Sequence, residues 1–251
     1  MELNAKNIAI IFAGGVGQRL NGEDSLPKQF LKVNDKPIII HTLELFQQNK
    51  NIDCIYISII KDYFEYMQEM VKYYHLTKVA GIVEGGKTGQ DSIYKALKLA
   101  LSENSRESIV LVHDGVRPNI TQEVIDKNIE NARVYGTAIT CTPCYETVVV
   151  SEDGKTTTHI PYRKETFSVQ APQTFKLGEL VDIHEKERAI NPNYENITDS
   201  CTLLKKQGIA PSLIQGNFGN IKITTIEDLY ILRALIRFRE DIDAFGIDNK
   251  K

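Results

Sequence analysis

The amino-acid sequence predicts an α/β fold with a mostly parallel sheet, because apolar runs rich in β-branched residues alternate with amphipathic helical patterns. Three such runs occupy residues 7–12, 54–60 and 108–112. Each is apolar on both faces, as expected of a parallel strand that is covered by helices on both sides. A glycine-rich segment follows the first run directly, which is also typical of a buried parallel strand.

Helical patterns, in which apolar residues recur every three or four positions, separate and follow these runs. They occupy residues 38–46, 91–101, 121–135, 176–188 and 199–207. A last helix is predicted from Thr225, because Thr225 and Asp228 have the spacing of a capping box. A short strand is predicted just before it, at residues 221–224.

The pattern changes after Thr140. Residues 146–150 and 159–168 are short extended segments on either side of a polar turn that ends in Asp-Gly. A hairpin with so polar a tip is poorly suited to a parallel core. We therefore predict a single domain over residues 1–251 from which a β-arm, about 141–170, projects towards a partner subunit.

The composition is that of an ordinary globular protein, with 251 residues, 42% hydrophobic and 25% charged. The formal net charge of -3 gives no broad basic surface, so neither nucleic acid nor a membrane surface is an expected partner. No apolar stretch approaches the roughly 20 residues of a membrane span, and the first run is too short for a signal peptide. We expect a soluble, cytoplasmic protein.

Four cysteines are present, at Cys54, Cys141, Cys144 and Cys201. Without an export signal, structural disulfides are not expected. Cys141 and Cys144 form a CxxC, but it lies in a strand-like segment rather than at the start of a helix, and no second CxxC completes a zinc site. We expect free thiols that are buried or half-buried.

The glycine-rich segment after the first run reads AGGVGQR and spans residues 13–19. Glycines there allow backbone N–H groups to close on phosphate oxygens. The segment is not a P-loop, and Leu20 stands where a dinucleotide fingerprint has its third glycine. Arg19 and Lys28 nearby would suit a triphosphate. A tight strand-to-helix turn with solvated charges explains the segment equally well.

Two further segments combine glycine or charge with a predicted element boundary. Gly85 and Gly86 precede a helix for which Asp91 or Ser92 would serve as N-cap; the segment could also grip a base or ribose through backbone groups. Asp114 and Arg117 follow the third apolar run. They could hold a metal and a phosphate, or simply pair with each other.

Two more residues allow a structural and a functional interpretation. We interpret His113 as structural, because no nucleophile or paired acid accompanies it. Lys222, on the predicted strand 221–224, is either a surface charge or a phosphate ligand.

The order of these motifs is more specific than any one of them. The chain reads FAGGVGQRL, LPKQF, HTLELF, EGG…DS, VHDGVRP, PYR…QAPQTF, ITDS and NIKITTIEDL. In this order, over residues 7 to about 235, it resembles the cytidylyltransferases that make CDP-methylerythritol or CDP-ribitol.

The resemblance implies a Rossmann-like nucleotidyltransferase fold and a homodimer with interlocked β-arms. It also implies a Mg²⁺-dependent reaction, in which a phosphate oxygen of a small polyol phosphate attacks the α-phosphate of CTP and pyrophosphate leaves. Such chemistry needs positioned cations and no covalent intermediate. This agrees with motifs that hold cations and glycines but no Ser-His or Cys-His pair.

The resemblance also assigns roles to individual residues. The residues implied in catalysis are Arg19, Lys28 and Lys222. The residues implied in CTP binding are Ala13, Gly14, Gly15, Gly17, Gly85, Gly86 and Ser92. The residues implied in binding the polyol phosphate are Asp114, Arg117, Thr147 and Arg163, with Asp114 also a metal ligand and the last two reaching across the dimer.

Several departures bear on the acceptor. The arm reads ETVV over residues 146–149, without the lysine usual in methylerythritol enzymes, and GVRP over 115–118 is more like ribitol enzymes. Ala171 replaces a common threonine, and Gly89 replaces a common arginine. We favour D-ribitol 5-phosphate, which would point to cell-wall or capsule polymers, over 2-C-methyl-D-erythritol 4-phosphate, which would point to isoprenoid precursors.

Three other interpretations stay open at this point. A nucleotide-sugar enzyme could use CTP with another sugar phosphate, or it could use another NTP, in which case the base pocket would have to admit purines. A non-catalytic relative would bind the nucleotide only, yet it would have no need to keep every cation. An NAD-binding oxidoreductase would need the dinucleotide fingerprint, which is incomplete here.

Overall fold

The computed structural model describes residues 4–14 and 26–245. A seven-stranded sheet has the order β5-β4-β1-β6-β8-β7-β9. Its strands are β1 (Asn7–Ala13), β4 (Cys54–Ile59), β5 (Val79–Glu84), β6 (Ile109–Asp114), β7 (Thr137–Pro143), β8 (Phe167–Lys176) and β9 (Leu213–Gln215). A small antiparallel pair joins β2 (Lys32–Val33) to β3 (Lys36–Pro37).

The sheet is mostly parallel, as predicted. Strand β1 pairs in parallel with β4 and β6, β4 with β5, and β7 with β9. Only β8 is antiparallel to its neighbours, β6 and β7. The three predicted apolar runs correspond to β1, β4 and β6, which form the middle of the sheet with β8.

Helices cover both faces of the sheet. They are α1 (Ile38–Gln48), α2 (Phe64–Tyr73), α3 (Gly89–Glu103), α4 (Gln122–Tyr135), α5 (Leu177–Ile190), α6 (Ser200–Lys206) and α7 (Ile226–Phe245). Alternation along β1 explains the two layers: Ile11 packs with α1, α2 and α4, whereas Ile10 packs with α3, α5 and α6. No helix within the described residues is both long and apolar enough to cross a membrane.

The prediction of a strand at residues 221–224 is wrong. The backbone there makes one long-range contact of strand type, from Ile223 N–H to Val116 O at 2.9 Å, and β9 takes the edge of the sheet instead. The segment nevertheless leads into α7 through the predicted capping box. Thr225 N–H donates to Asp228 at 2.8 Å, and Asp228 N–H donates back to the Thr225 hydroxyl at 3.4 Å.

The arm differs from the predicted hairpin. Residues 144–166, between β7 and β8, carry a single antiparallel bridge between Val150 and His159. At the tip, Gly154 has a φ of +68°, as expected for the predicted turn. The later segment does not continue as a strand from 159, because a 3-10 turn at Arg163–Glu165 interrupts it. Strand β8 begins only at Phe167 and then runs into the main sheet.

Candidate active site

The candidate site lies where parallel strands of the sheet end. Gly14 follows β1, Gly85 follows β5, and Asp114 is the last residue of β6. The carboxyl ends of parallel strands face the same edge, and this edge is where open α/β sheets bind ligands. The fold therefore brings together three sequence segments that lie up to one hundred residues apart.

Two adjoining cavities open at this edge. The first, called the glycine cavity here, has a volume of about 230 Å³ and is lined by Ala13, Gly14, Lys28 and Gly86 among others. The second, called the β8 cavity, has a volume of about 290 Å³ and is lined on one side by β8. The residues common to both are Phe12, Gly89, Asp114 and Lys222. One ligand in each cavity would meet its neighbour beside Asp114 and Lys222.

Asp114 lies between two cations. Its carboxylate accepts from Arg117 Nε at 2.9 Å and from Lys222 Nζ at 2.6 Å, and its side chain is 9% exposed. Burial by itself would raise the pKa of this carboxyl, but Lys222 and Arg117 outweigh burial and hold the pKa at about 2. The Asp114–Arg117 pair anticipated in the sequence is therefore present. Two cations around one carboxylate leave a positive excess that suits a phosphate.

Lys28 completes the cationic group. It lies in a 3-10 turn, Lys28–Phe30, and its Nζ donates to Ile223 O at 3.1 Å. Ile223 directly follows Lys222 in the chain, so both lysines line the glycine cavity. The structure thus gathers Lys28, Asp114, Arg117 and Lys222, which the sequence distributes over almost two hundred residues.

The glycines allow two loops to touch. A Cβ added to Gly14 would lie 2.6 Å from Ser92 Oγ, and one added to Gly85 would lie 3.3 Å from Gly14 Cα. Gly86 N–H donates to Ser92 Oγ at 2.9 Å, and that hydroxyl donates to Thr88 O at 2.9 Å. Ser92 therefore holds the loop 85–88 against the end of β1, and side chains at these glycines would separate the two loops.

The predicted cap of α3 is wrong. Thr88 is the N-cap, and its hydroxyl accepts from Asp91 N–H at 3.1 Å. Helix α3 begins at Gly89, earlier than the apolar periodicity indicated, so Ser92 lies inside the first turn. The spacing Thr-x-x-Asp at 88–91 carries this signal, since threonine at the N-cap is favoured and an acid suits the first turn.

His113 has the structural role expected of it. It is fully buried on β6, its Nε2 contacts Arg117 O at 3.1 Å, and its ring lies 5.0 Å from that of Phe46. Burial lowers the pKa of His113 to about 4, so the ring is neutral at pH 7. The four cysteines are likewise free, with Cys54 and Cys141 buried.

The remaining predicted site residues are of two kinds. Gly15, Gly17 and Arg19 lie outside the described residues. Thr147 and Arg163 are exposed on the arm and do not line either cavity of their own chain. Arg163 makes one long hydrogen bond, from Nη1 to Tyr145 O at 3.4 Å.

The β8 cavity contains residues that sequence reasoning did not single out. Ala171 and Gly89, noted above as departures, both line it. The residues without an earlier assignment include Gln90, Val169, Gln173, Thr198, Asp199 and Ser200. Most of these lie in the motifs QAPQTF and ITDS, which contribute to the resemblance without assigning these residues a role. Their alternation along β8 and their place at the start of α6 could have indicated which side chains face the cleft.

A Mg²⁺ ion fits this site only if phosphate oxygens of the substrates serve as further ligands. Among the described residues, no group of three or more His, Cys, Asp or Glu side chains could hold a metal, and Asp114 is the one acid among those lining the glycine cavity. Mg²⁺ is often held by one or two carboxylates together with substrate phosphates and water. A single ionised carboxylate at the junction of the cavities is compatible with that arrangement.

Comparisons with known proteins show the family to which the chain belongs. The family model for 2-C-methyl-D-erythritol 4-phosphate cytidylyltransferase matches residues 7–238. Over 241 residues the chain is 40% identical to a ribitol-5-phosphate cytidylyltransferase of Streptococcus agalactiae serotype Ia, covering 96% of this chain and 100% of the relative. Over 227 residues it is 37% identical to a 2-C-methyl-D-erythritol 4-phosphate cytidylyltransferase of Clostridium botulinum, covering 90% and 96%.

A solved structure matches over a similar length. The 4-diphosphocytidyl-2C-methyl-D-erythritol synthase of Anaerococcus prevotii has a TM-score of 0.78 and 27% identity, covering 93% of this chain and 96% of that one. The predicted Rossmann-like nucleotidyltransferase fold and the resemblance read from the motifs are thereby confirmed. The chain belongs to the 2-C-methyl-D-erythritol 4-phosphate cytidylyltransferase family of CTP-dependent nucleotidyltransferases.

Proposed function

We propose that this enzyme transfers CMP from CTP to D-ribitol 5-phosphate, giving CDP-ribitol and pyrophosphate. The observation that carries the proposal is the group of Lys28, Arg117 and Lys222 around Asp114, at the junction of two cavities. A two-substrate phosphoryl transfer needs cations where the two anions meet. The 40% identity to a ribitol-5-phosphate cytidylyltransferase supports the choice of acceptor.

In this proposal CTP occupies the glycine cavity. Backbone groups at Ala13, Gly14, Gly85 and Gly86 contact the nucleotide, and Ser92 keeps the second glycine pair in place. We also assign Gly15, Gly17 and Arg19 to the triphosphate, as the resemblance implies. Lys28 lies on the pyrophosphate side, where it stabilises the negative charge of the leaving group.

The acceptor phosphate lies at the other side of the same cations. Arg117 and Lys222 bind it and align one of its oxygens with the α-phosphorus of CTP. That oxygen forms the new P–O bond as the bond to pyrophosphate breaks, and no enzyme nucleophile takes part. Asp114 would hold Mg²⁺ beside the phosphates. When bound, the ion would neutralise part of the negative charge of the phosphates.

The β8 cavity receives the polyol. Gly89 and Ala171 carry little or no side chain there, which leaves room for an unbranched five-carbon chain. The second candidate acceptor is 2-C-methyl-D-erythritol 4-phosphate, because a relative at 37% identity is named for it. In that case the small side chain of Ala171 would leave space for the methyl branch of this acceptor.

The arm is proposed to act in a homodimer. Its exposed large hydrophobic side chains, Tyr145, Val149, Ile160 and Tyr162, would be buried by a second copy of the chain. Thr147 and Arg163 would then contact the polyol phosphate in the partner's site. Because CTP and the acceptor are charged metabolites of the cell interior, we propose that the enzyme works in the cytoplasm.

The first experiment measures pyrophosphate release with CTP and Mg²⁺, giving ribitol 5-phosphate and methylerythritol phosphate in parallel. The proposal expects a kcat/KM for ribitol 5-phosphate at least about tenfold higher, a difference of roughly 1.4 kcal/mol. A preference for methylerythritol phosphate would select the second candidate. Activity with neither acceptor would refute both choices and leave only the CTP half of the proposal, which CTP binding would test.

A further inference from the structure

Two buried polar side chains of the β8 cavity have unused hydrogen-bonding atoms. Gln90, the second residue of α3, is 3% exposed, and Ser200, the first residue of α6, is 1% exposed. Within the described part of the chain, no group hydrogen-bonds to Gln90 Oε1 or to Ser200 Oγ. Both residues line the β8 cavity although they come from separate helices.

Such atoms are costly to a folded protein. A buried polar atom without a partner destabilises the folded state by about 1–3 kcal/mol, and native proteins keep few of them. An apolar side chain of similar size at either position would avoid this cost. Retaining two of them at one cavity is therefore unfavourable for folding, but it would be useful for binding.

Two polar neighbours of Ser200 are already engaged. Gln173 Nε2 donates to Asp199 Oδ2 at 3.1 Å, and Gln173 Oε1 accepts from Cys201 N–H at 2.8 Å. Asp199 also caps α6 by accepting from Thr202 N–H at 2.7 Å. These contacts hold the start of α6 against β8. They place Ser200 at the cavity. Among the described side chains that line it, Gln90 and Ser200 are the buried ones that carry an unpartnered polar atom.

The chemistry of the two groups suits one kind of ligand. The cavity is cationic at the Asp114 end, through Arg117 and Lys222, and partly apolar along β8 at Val169 and Ala171. An amide and a hydroxyl can each donate and accept a hydrogen bond, as can the hydroxyls of a sugar alcohol. A polyol phosphate would direct its phosphate to the cations and its hydroxyls towards the two helices.

We propose that Gln90 and Ser200 bind hydroxyl groups of the acceptor and so determine which polyol phosphate is used. This inference rests on the proposed function only in taking the β8 cavity as the acceptor site. The two residues select the acceptor through its hydroxyl groups, whereas the charge chemistry belongs to Arg117, Lys222 and Lys28.

The test uses Gln90→Met and Ser200→Ala, which remove the polar atoms and nearly preserve the volume. Each variant should lower kcat/KM for ribitol 5-phosphate about tenfold, mainly through a higher KM, while the KM for CTP changes less than about twofold. The melting temperature should stay the same or rise, because a buried unpartnered group has been removed. A side chain with a purely structural role would instead lower the melting temperature and leave the acceptor KM unchanged.

A matched control is Gln47→Met. The Gln47 side chain is fully engaged far from the cavity, donating to Thr77 Oγ1 at 2.8 Å and accepting from Lys78 N–H at 2.9 Å. This variant should lower the melting temperature and leave both KM values unchanged. It therefore shows the opposite pattern to that expected for Gln90→Met.

Deoxyribitol phosphates, each lacking one hydroxyl, complete the experiment. If Gln90 binds a hydroxyl, the wild-type enzyme uses at least one deoxy analogue less well than ribitol 5-phosphate. Gln90→Met should lose that difference. The effects of the side-chain change and of the missing hydroxyl on kcat/KM are then non-additive in a double-mutant cycle. Additive losses, or variants that keep the wild-type kcat/KM for ribitol 5-phosphate, would overturn the inference while the proposed function stands. If the wild-type enzyme rejects ribitol 5-phosphate, the proposed acceptor fails, and the same cycle with the acceptor that it does use decides the inference separately.

Discussion

The cleft and the arm each contain an aspartate whose pKa lies below its ordinary value, for different reasons. At Asp114 burial opposes ionisation, and the charges of Lys222 and Arg117 overcome it. At Asp153, on the exposed tip of the arm, hydrogen bonds from the Thr156 and Lys155 backbone lower the pKa. The first carboxylate balances cations in a cavity, whereas the second only organises a turn.

This difference separates a functional environment from a structural one. A carboxylate that is ionised by neighbouring cations marks a place where anions can also bind, since those cations are already fixed there. A carboxylate that is kept ionised by local N–H groups already accepts hydrogen bonds from its own turn, and it marks no place for a ligand. Variants in the cleft and on the arm can show whether activity depends on the cleft, on the arm, or on both.

The largest effect is expected for Lys222→Ala. Lys222 lies at the junction of the two cavities and contacts Asp114 at 2.6 Å, so under the proposed function its removal takes away a charge between the two substrates. Loss of one such stabilising group costs roughly 10²–10³ in kcat. Steady-state kinetics with CTP and the acceptor measure it, with Lys127→Ala, an exposed lysine of α4 paired with Glu123, as control. Activity equal to that of the control would remove Lys222 from the mechanism.

The next effect concerns stability and its dependence on pH. The folded pKa of Asp114, about 2, lies below the roughly 3.9 of an unfolded aspartate. Ionised Asp114 therefore stabilises the fold by about 2.5 kcal/mol above pH 4, and this contribution is lost as the pH falls from about 4 to 2. Asp114→Asn should lower the free energy of unfolding by about that amount at pH 7 and much less near pH 2.

Urea unfolding at several pH values measures this difference. The control is Asp182→Asn, which breaks an exposed ion pair with Arg106 and should change the free energy of unfolding by less than about 1 kcal/mol at any pH. A wild-type minus Asp114→Asn difference that does not shrink towards acid pH would contradict the assignment of the low pKa to Asp114.

On the arm, Arg163→Ala is expected to raise the acceptor KM about tenfold without changing the melting temperature, because Arg163 is exposed and makes one long hydrogen bond. If Arg163 acts in the partner's site, mixing this variant with Lys222→Ala should restore activity. A mixed dimer then has one site with Lys222 in its cleft and Arg163 on the arm that reaches it. Lys164→Ala, its exposed neighbour, serves as control, and no recovery on mixing would place the arm outside the catalytic site.

The sequence and the structure agree most closely where one residue pattern has one physical meaning. The runs at β1, β4 and β6 favour buried strands because they are short and rich in β-branched residues, and the Thr-x-x-Asp pattern at 225–228 favours the start of a helix. The prediction of a strand around Lys222 is wrong although apolar and polar residues alternate there, because β9 occupies the edge of the sheet instead. Which segment occupies an edge depends on long-range packing that a local pattern does not contain.

The candidate site shows the same limit. Asp114 and Lys222 were both proposed from the sequence, but their contact joins segments more than one hundred residues apart. Gln90 and Ser200 carried only a weak local signal, their places at the start of α3 and α6, because glutamine and serine near the start of a helix are ordinary N-terminal residues. Their significance appears only when the fold places both in the lining of one cavity and leaves an oxygen of each without a hydrogen-bond partner among the described residues.

The smallest effect is expected at the tip of the arm. Asp153 accepts hydrogen bonds from Lys155 N–H and Thr156 N–H, each at 2.8 Å, and from the Ser151 hydroxyl at 3.0 Å. Asp153→Asn keeps an oxygen in place for these donors, so kcat and both KM values should match the wild type, and the melting temperature should move by less than about 2 °C. A loss of activity comparable to that of Lys222→Ala would show that the tip enters the partner's site, and the division between a catalytic cleft and a supporting arm would then no longer hold.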